Sequence, residues 1–203
     1  MLSVPHSTIR IYTEKDSVVP LYYSYVSDAA STPVDGCVLI HDHALKTVRN
    51  REAVASMVDA LPVNSKLQVT VVGSRETTVL TATVTGGKHS FKEAVLEWVP
   101  ASDNGPELSA TFLNRGLEQC YTDHPLVAGE LAKISIIVGS SDTDVVGDNE
   151  PLLNKKVKTF VMNVTPGMHV LPTFSLLATD EDHVIDIADL AAFSKVLQFG
   201  AYT

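Results

Sequence analysis

The chain has 203 residues, 45% of them hydrophobic and 19% charged, which suits one globular domain of ordinary size, at most with a small appendage. Its net charge of -9 argues against a nucleic-acid partner, which needs clustered Lys and Arg, and disfavours anionic membranes. No uncharged apolar run approaches the roughly 20 residues that span a bilayer, so membrane insertion is not expected.

The N-terminus, Met1 to His6, lacks a basic patch followed by an apolar core, so no signal peptide is expected. Thr8 to Thr13 alternates polar and apolar residues, and Val18 to Val26 is rich in β-branched and aromatic types. They read as a strand pair joined by Glu14-Lys15-Asp16, with Tyr22, Tyr23 and Tyr25 covering a core edge. This pair and its following loop make an N-terminal unit over residues 1–34, and the main domain covers 35–203. Ser27 to Gly36, with its small residues, Asp, Pro and Gly, reads as loop.

Cys37-Val38-Leu39-Ile40-His41-Asp42 follows, an apolar run ending in an acid. It reads as a buried central strand that delivers one carboxylate to the carboxyl edge of an α/β sheet, where open sheets of this kind bind ligands. Val48 to Leu61 places Val48, Ala53, Val54, Met57, Val58 and Leu61 on one helical face, and Pro62 ends it. Lys66 to Val72 and Thr77 to Val84 read as strands, antiparallel because only Gly73-Ser74-Arg75-Glu76 separates them.

Ser90 to Trp98 and Pro106 to Tyr121 are helical in pattern. Ile134 to Val138 is a continuous apolar strand of the type buried on both faces. Lys156 to Val164 and Val184 to Ile187 read as further strands, and Asp189 to Leu197 as a closing helix. Alternating strands and helices imply a mainly parallel, doubly covered sheet. Cys37 and Cys120 have no CxxC spacing, so they read as buried free thiols of a reducing compartment in an intracellular, cytoplasmic protein.

The order of these pieces resembles a von Willebrand factor type A (VWA) domain over roughly residues 35 to 200. Leu39 to Asp42 is similar to the family's first strand and its aspartate, and Leu61 to Val69 to its passage into the next strand. Thr111-Phe112-Leu113-Asn114-Arg115-Gly116-Leu117 is similar to the T-x-L-x-x-G-L helix start. Ile134 to Ser141, Val157 to Val164 and Val184 to Phe193 fit the later strands and the last helix. The resemblance implies a Rossmann-like doubly wound fold with one antiparallel edge strand. It also implies a metal-ion-dependent adhesion site, in which an Asp-x-Ser-x-Ser loop, a threonine and a second aspartate hold a divalent cation that a partner's carboxylate completes.

Carried over by position, Asp42 matches the first acid and Thr111 the threonine. The two serine positions fall on Ala44 and Lys46, and the second aspartate on Ser140. Mg²⁺ wants oxygen ligands in near-octahedral array, so the carry-over describes a degenerate site with no cofactor, although one or two carboxylates plus waters can hold Mg²⁺.

Other constellations have blander readings. His41 and His43 would face one side of a strand as a zinc pair, but catalytic zinc needs a third ligand, so packing or hydrogen-bonding roles are expected. Asp142 to Glu150 resembles a calcium loop, yet Val146 and Leu153 fall where oxygen ligands are required, and it reads as solvated. An atypical cation site borrowing Asp142 or Asp144 stays open. Gly86 to Ser90 lacks phosphate-loop spacing and reads as a turn and helix start, and the Asn163-Val164-Thr165 sequon is discounted.

The expected function is a non-enzymatic protein-interaction or scaffold module within a larger assembly. Its partners are other protein subunits, bound without a cation at the edge marked by Asp42, Ala44, Lys46, Thr111 and Ser140. The alternative is a functional divalent site, drawing on Asp42, Thr111 and Asp142, that captures an acidic partner ligand. A Rossmann-like enzyme would need a glycine-rich turn after the first strand, and His43-Ala44-Leu45-Lys46 has no glycine.

Overall fold

The computed structural model describes residues 33–62, 65–73, 77–80, 88–101, 105–123, 132–147 and 157–189. A six-stranded sheet forms the centre. In chain order its strands are β1 (Val34–His41), β2 (Lys66–Val72), β3 (Thr77–Leu80), β5 (Ala132–Gly139), β7 (Lys158–Asn163) and β8 (Val184–Asp186). They lie in the order β3-β2-β1-β5-β7-β8. All neighbours are parallel except β3, which runs antiparallel to β2. Two short strands, β4 (Glu107–Ser109) and β6 (Asp144–Val146), pair in parallel as a separate ribbon.

Alternation along β1 divides the core between the two faces of the sheet. Val38 and Ile40 pack with Val69, Val71, Ile136 and residues of helices α1 (Val48–Met57) and α2 (Lys88–Leu96). Cys37 and Leu39 face the other way, toward Leu113 and Leu117 of helix α3 (Ala110–Asp123) and Phe174 of the short helix α4 (Pro172–Ser175). A strand buried on both faces must be apolar at every position, and that is why it reads as a continuous run rather than an alternating one.

Local chemistry sets the element ends. The Thr47 side chain caps α1 by accepting the Asn50 backbone N–H at 3.1 Å. Arg51 donates to the Leu45 carbonyl at 2.8 Å, tying α1 back to the 3-10 turn Asp42–Leu45 that follows β1.

Several expectations are corrected. β1 begins at Val34, inside the expected loop, because Gly36 lies flat against β5: a Cβ there would sit 1.9 Å from the Ile134 carbonyl oxygen. The glycine that signalled a loop instead permits close strand approach. Val48 is 60% exposed rather than on the buried face, since it opens α1 at the sheet's edge. α1 itself passes into a 3-10 turn, Val58–Ala60, before Pro62.

The helix expected from Pro106 starts at Ala110, because Glu107–Ser109 pair with β6, a long-range contact invisible in local pattern. β6 likewise occupies part of the stretch expected to be solvated loop. α2 starts at Lys88, two residues before the expected Ser90. The N-terminal strand pair, residues 81–84 of the strand expected over Thr77 to Val84 and nearly all of the closing helix lie outside the described residues.

The cysteine reading is also overturned. Cys37 and Cys120 form a disulfide between β1 and α3, with Cα atoms 6.1 Å apart, and both residues are fully buried. A disulfide persists in oxidising surroundings, so the argument for a reducing compartment falls away. Among the described residues, no helix is long and apolar enough to cross a membrane.

Candidate functional site

β1 and β5 are adjacent and parallel, with β2 continuing on one side and β7 on the other. Chain order therefore reverses between β1 and β5, the switch point where open α/β sheets form a crevice at their carboxyl edge. Ile40 pairs with Val138 in register, which brings the turn after β1, carrying Asp42, beside the loop after β5, carrying Ser140 to Thr143.

Asp42 opens the 3-10 turn rather than closing the strand, and it is only 2% exposed. Both carboxylate oxygens accept hydrogen bonds from the segment after α2. Trp98 Nε1 donates to Oδ1 at 2.6 Å, and the Ala101 backbone N–H donates to Oδ2 at 2.9 Å. A buried carboxylate needs such donors, because desolvating an uncompensated charge is very costly. The Trp98 ring is half-buried against the core beneath α1 and α2.

A second network lies along the β5 loop. Thr143 Oγ1 accepts the Ser140 backbone N–H at 2.9 Å and lies 3.3 Å from both Ser140 Oγ and His41 Nδ1. His43 Nε2 lies 3.3 Å from Asp142 Oδ2. Burial raises the Asp142 pKa, but hydrogen bonding to the Ser140 side chain and the nearby His43 more than offset it, and the net direction is downward. His41 is buried, with no hydrogen-bond partner for Nε2 among the described residues. Burial first, then the neighbouring His43, lowers its pKa from 6.5 to about 4 against the opposing influence of Asp42, Asp142 and the Glu107 backbone.

The positions carried over from the resemblance are now placed. Ala44 is fully buried in the apolar core, so a methyl packs there rather than a hydroxyl facing the edge. Lys46 is exposed at the end of the 3-10 turn, and Thr111 is exposed in the first turn of α3. Ser140 is buried within the Thr143 network. His41 and His43 do not share a strand face, since β1 ends at His41 and His43 belongs to the turn. Asp144 accepts from Thr173 Oγ1 at 2.8 Å rather than standing in a calcium loop. Asn163 is buried and uses both ends of its amide to hold the Thr165–Met168 loop.

This donor set does not fit the divalent cation that the resemblance implies. Ala44 and Lys46 bring no oxygen ligand, and a hydroxyl stands at Ser140 in place of a carboxylate. Among the described residues, no group of three or more His, Cys, Asp or Glu side chains is placed to hold a metal ion. Trp98, Ala101 and Thr143 were missed as site residues. Trp98 read as the end of a helix, Thr143 as part of a loop, and Ala101 acts through its backbone, which carries no sequence signal.

The sheet order, the flanking helices and this crevice define a VWA-like fold. No protein-family model matches the chain, and no curated protein matches it. Solved structures do. Proximal thread matrix protein 1 from the mussel byssus is 17% identical with a TM-score of 0.57, over 84% of this chain and 47% of that one. The manganese-loaded Plasmodium vivax TRAP protein is 12% identical with a TM-score of 0.56, over 84% and 75%. The SpRpn10 VWA domain is 10% identical with a TM-score of 0.53, over 79% and 94%. The matched region is thus about half the length of the mussel protein and nearly all of the SpRpn10 domain. Likeness at this level of identity shows the fold.

Proposed function

We propose that this chain is a non-enzymatic protein-interaction module, a subunit of a larger assembly, that binds a protein partner at its carboxyl edge without an obligate cation. The main domain starts near residue 35, preceded by the N-terminal unit. The observation that carries this reading is the state of Asp42: the chain's own Trp98 and Ala101 satisfy both oxygens of the carboxylate. The surrounding edge, with Lys46, Thr111 and Asp142 exposed, is the surface left for a partner. The buried disulfide supports a working environment that is oxidising.

Calorimetric titration of chelator-stripped protein with Mg²⁺, Mn²⁺ and Ca²⁺, alongside Asp42→Ala, tests it. No saturable heat is expected, and capture of a partner should be indifferent to chelator. Saturable binding lost in the variant would establish the second reading, a divalent site that recruits an acidic ligand. Two observations favour that alternative: a mussel byssus structure with zinc in its adhesion motif and the manganese-loaded Plasmodium structure share the fold.

A further inference from the structure

The segment 97–101 has two fixed points and an exposed crest. At one end the half-buried Trp98 ring packs against the core, and its Nε1–H reaches Asp42. At the other end the Ala101 N–H reaches the second oxygen of the same carboxylate. Between them Val99 is 84% exposed. One buried side chain thus grips a short stretch of chain at two places, three residues apart, through charge-assisted hydrogen bonds. A divalent cation binding Asp42 would share its oxygens with these donors and weaken their charge-assisted bonds.

We propose that segment 97–101 is a strap latched by Asp42 and that strap and cation compete for this carboxylate. This deepens the metal-free reading above and rests on it.

Trp98 is the chain's single tryptophan, so its fluorescence reports the strap directly. Acrylamide quenching of Trp98 should rise about twofold or more in Asp42→Ala and less in Asp42→Asn, which keeps one acceptor, with far-UV circular dichroism unchanged. Mg²⁺ or Ca²⁺ should leave wild-type quenching unaltered. Should Asp42→Ala fail to fold, hydrogen exchange on the wild-type protein decides the matter: the Ala101 amide should be protected although its residue is exposed, and lose protection in Trp98→Phe.

A folded Asp42→Ala protein with unchanged quenching, or an unprotected Ala101 amide, overturns the latch and leaves metal-free partner binding standing. Chelator-sensitive partner capture with Trp98 still shielded overturns metal-free binding alone. Release of Trp98 by Mg²⁺ in the wild-type protein overturns metal-free binding while bearing out the competition between strap and cation.

Discussion

Cys37, in the middle of the central strand, is covalently joined to Cys120 on α3, across 83 residues of chain. The bond ties the helix that begins beside the crevice to the strand that ends in it. Closing a loop of this length in the unfolded chain corresponds to about 4–5 kcal/mol by loop entropy. Reduction, or the Cys37→Ala/Cys120→Ala double variant, should therefore lower the unfolding free energy by about 3–5 kcal/mol. Chemical denaturation with and without reductant measures this, and equal midpoints would refute it.

Two glycines should separate by what obstructs a side chain. At Gly36 the obstacle is the Ile134 backbone oxygen, 1.9 Å from a Cβ, so the paired strands themselves would have to part. At Gly139 it is the Phe174 ring, 2.5 Å away, and the Thr143 hydroxyl, 2.8 Å away, which can yield in part. Gly139→Ala should cost about 2 kcal/mol and Gly36→Ala about 4 kcal/mol or fail to fold. Thermal melts that reverse this order would contradict the packing argument.

His41 makes stability depend on pH. Its folded pKa, about 4, lies below the ordinary 6.5, so between those values the unfolded chain takes up a proton that the folded protein refuses. Stability should be flat above pH 6.5 and fall by about 3 kcal/mol from this residue as pH drops toward 4. Asp142, whose folded pKa is lowered, adds stability that is lost only at still lower pH, as its carboxylate protonates. Denaturation curves at several pH values should show a shallower slope in His41→Gln, and an unchanged slope would remove His41 from the explanation.

Thr143 holds the β5 loop through its hydroxyl. Thr143→Val keeps the shape but strands the buried Ser140 N–H and the His41 Nδ1, and should cost about 2 kcal/mol, with Thr143→Ser recovering most of it. A valine variant as stable as wild type would show that water or another group satisfies these atoms.

Trp98→Phe should destabilise by about 2 kcal/mol, because it removes a charge-assisted hydrogen bond to a buried carboxylate. In a double-mutant cycle with Asp42→Ala, which removes both acceptors, the two changes should not add, and additive losses would show that the pair does not interact.

Much of the fold was legible because its signals are local. The apolar run Cys37–Ile40 and the span Lys66–Val72 announce strands, and Pro62 closes its helical segment. The carboxylate at Asp42, closing an apolar run, is also plain in one dimension. What escaped was everything set by partners distant in sequence. Glu107–Ser109 carry helix-compatible residues yet pair with Asp144–Val146. Gly36 looked like a turn residue and is a point of close strand contact.

The sequence by itself determined the doubly wound architecture, since strands alternating with helices imply a mainly parallel sheet covered on both faces. Only the tertiary structure decided that Cys37 meets Cys120 and that Asp42 is held by Trp98 and Ala101. Those outcomes depend on which segments the packed sheet brings within a few ångströms of one another, and no local pattern of residue types encodes that distance.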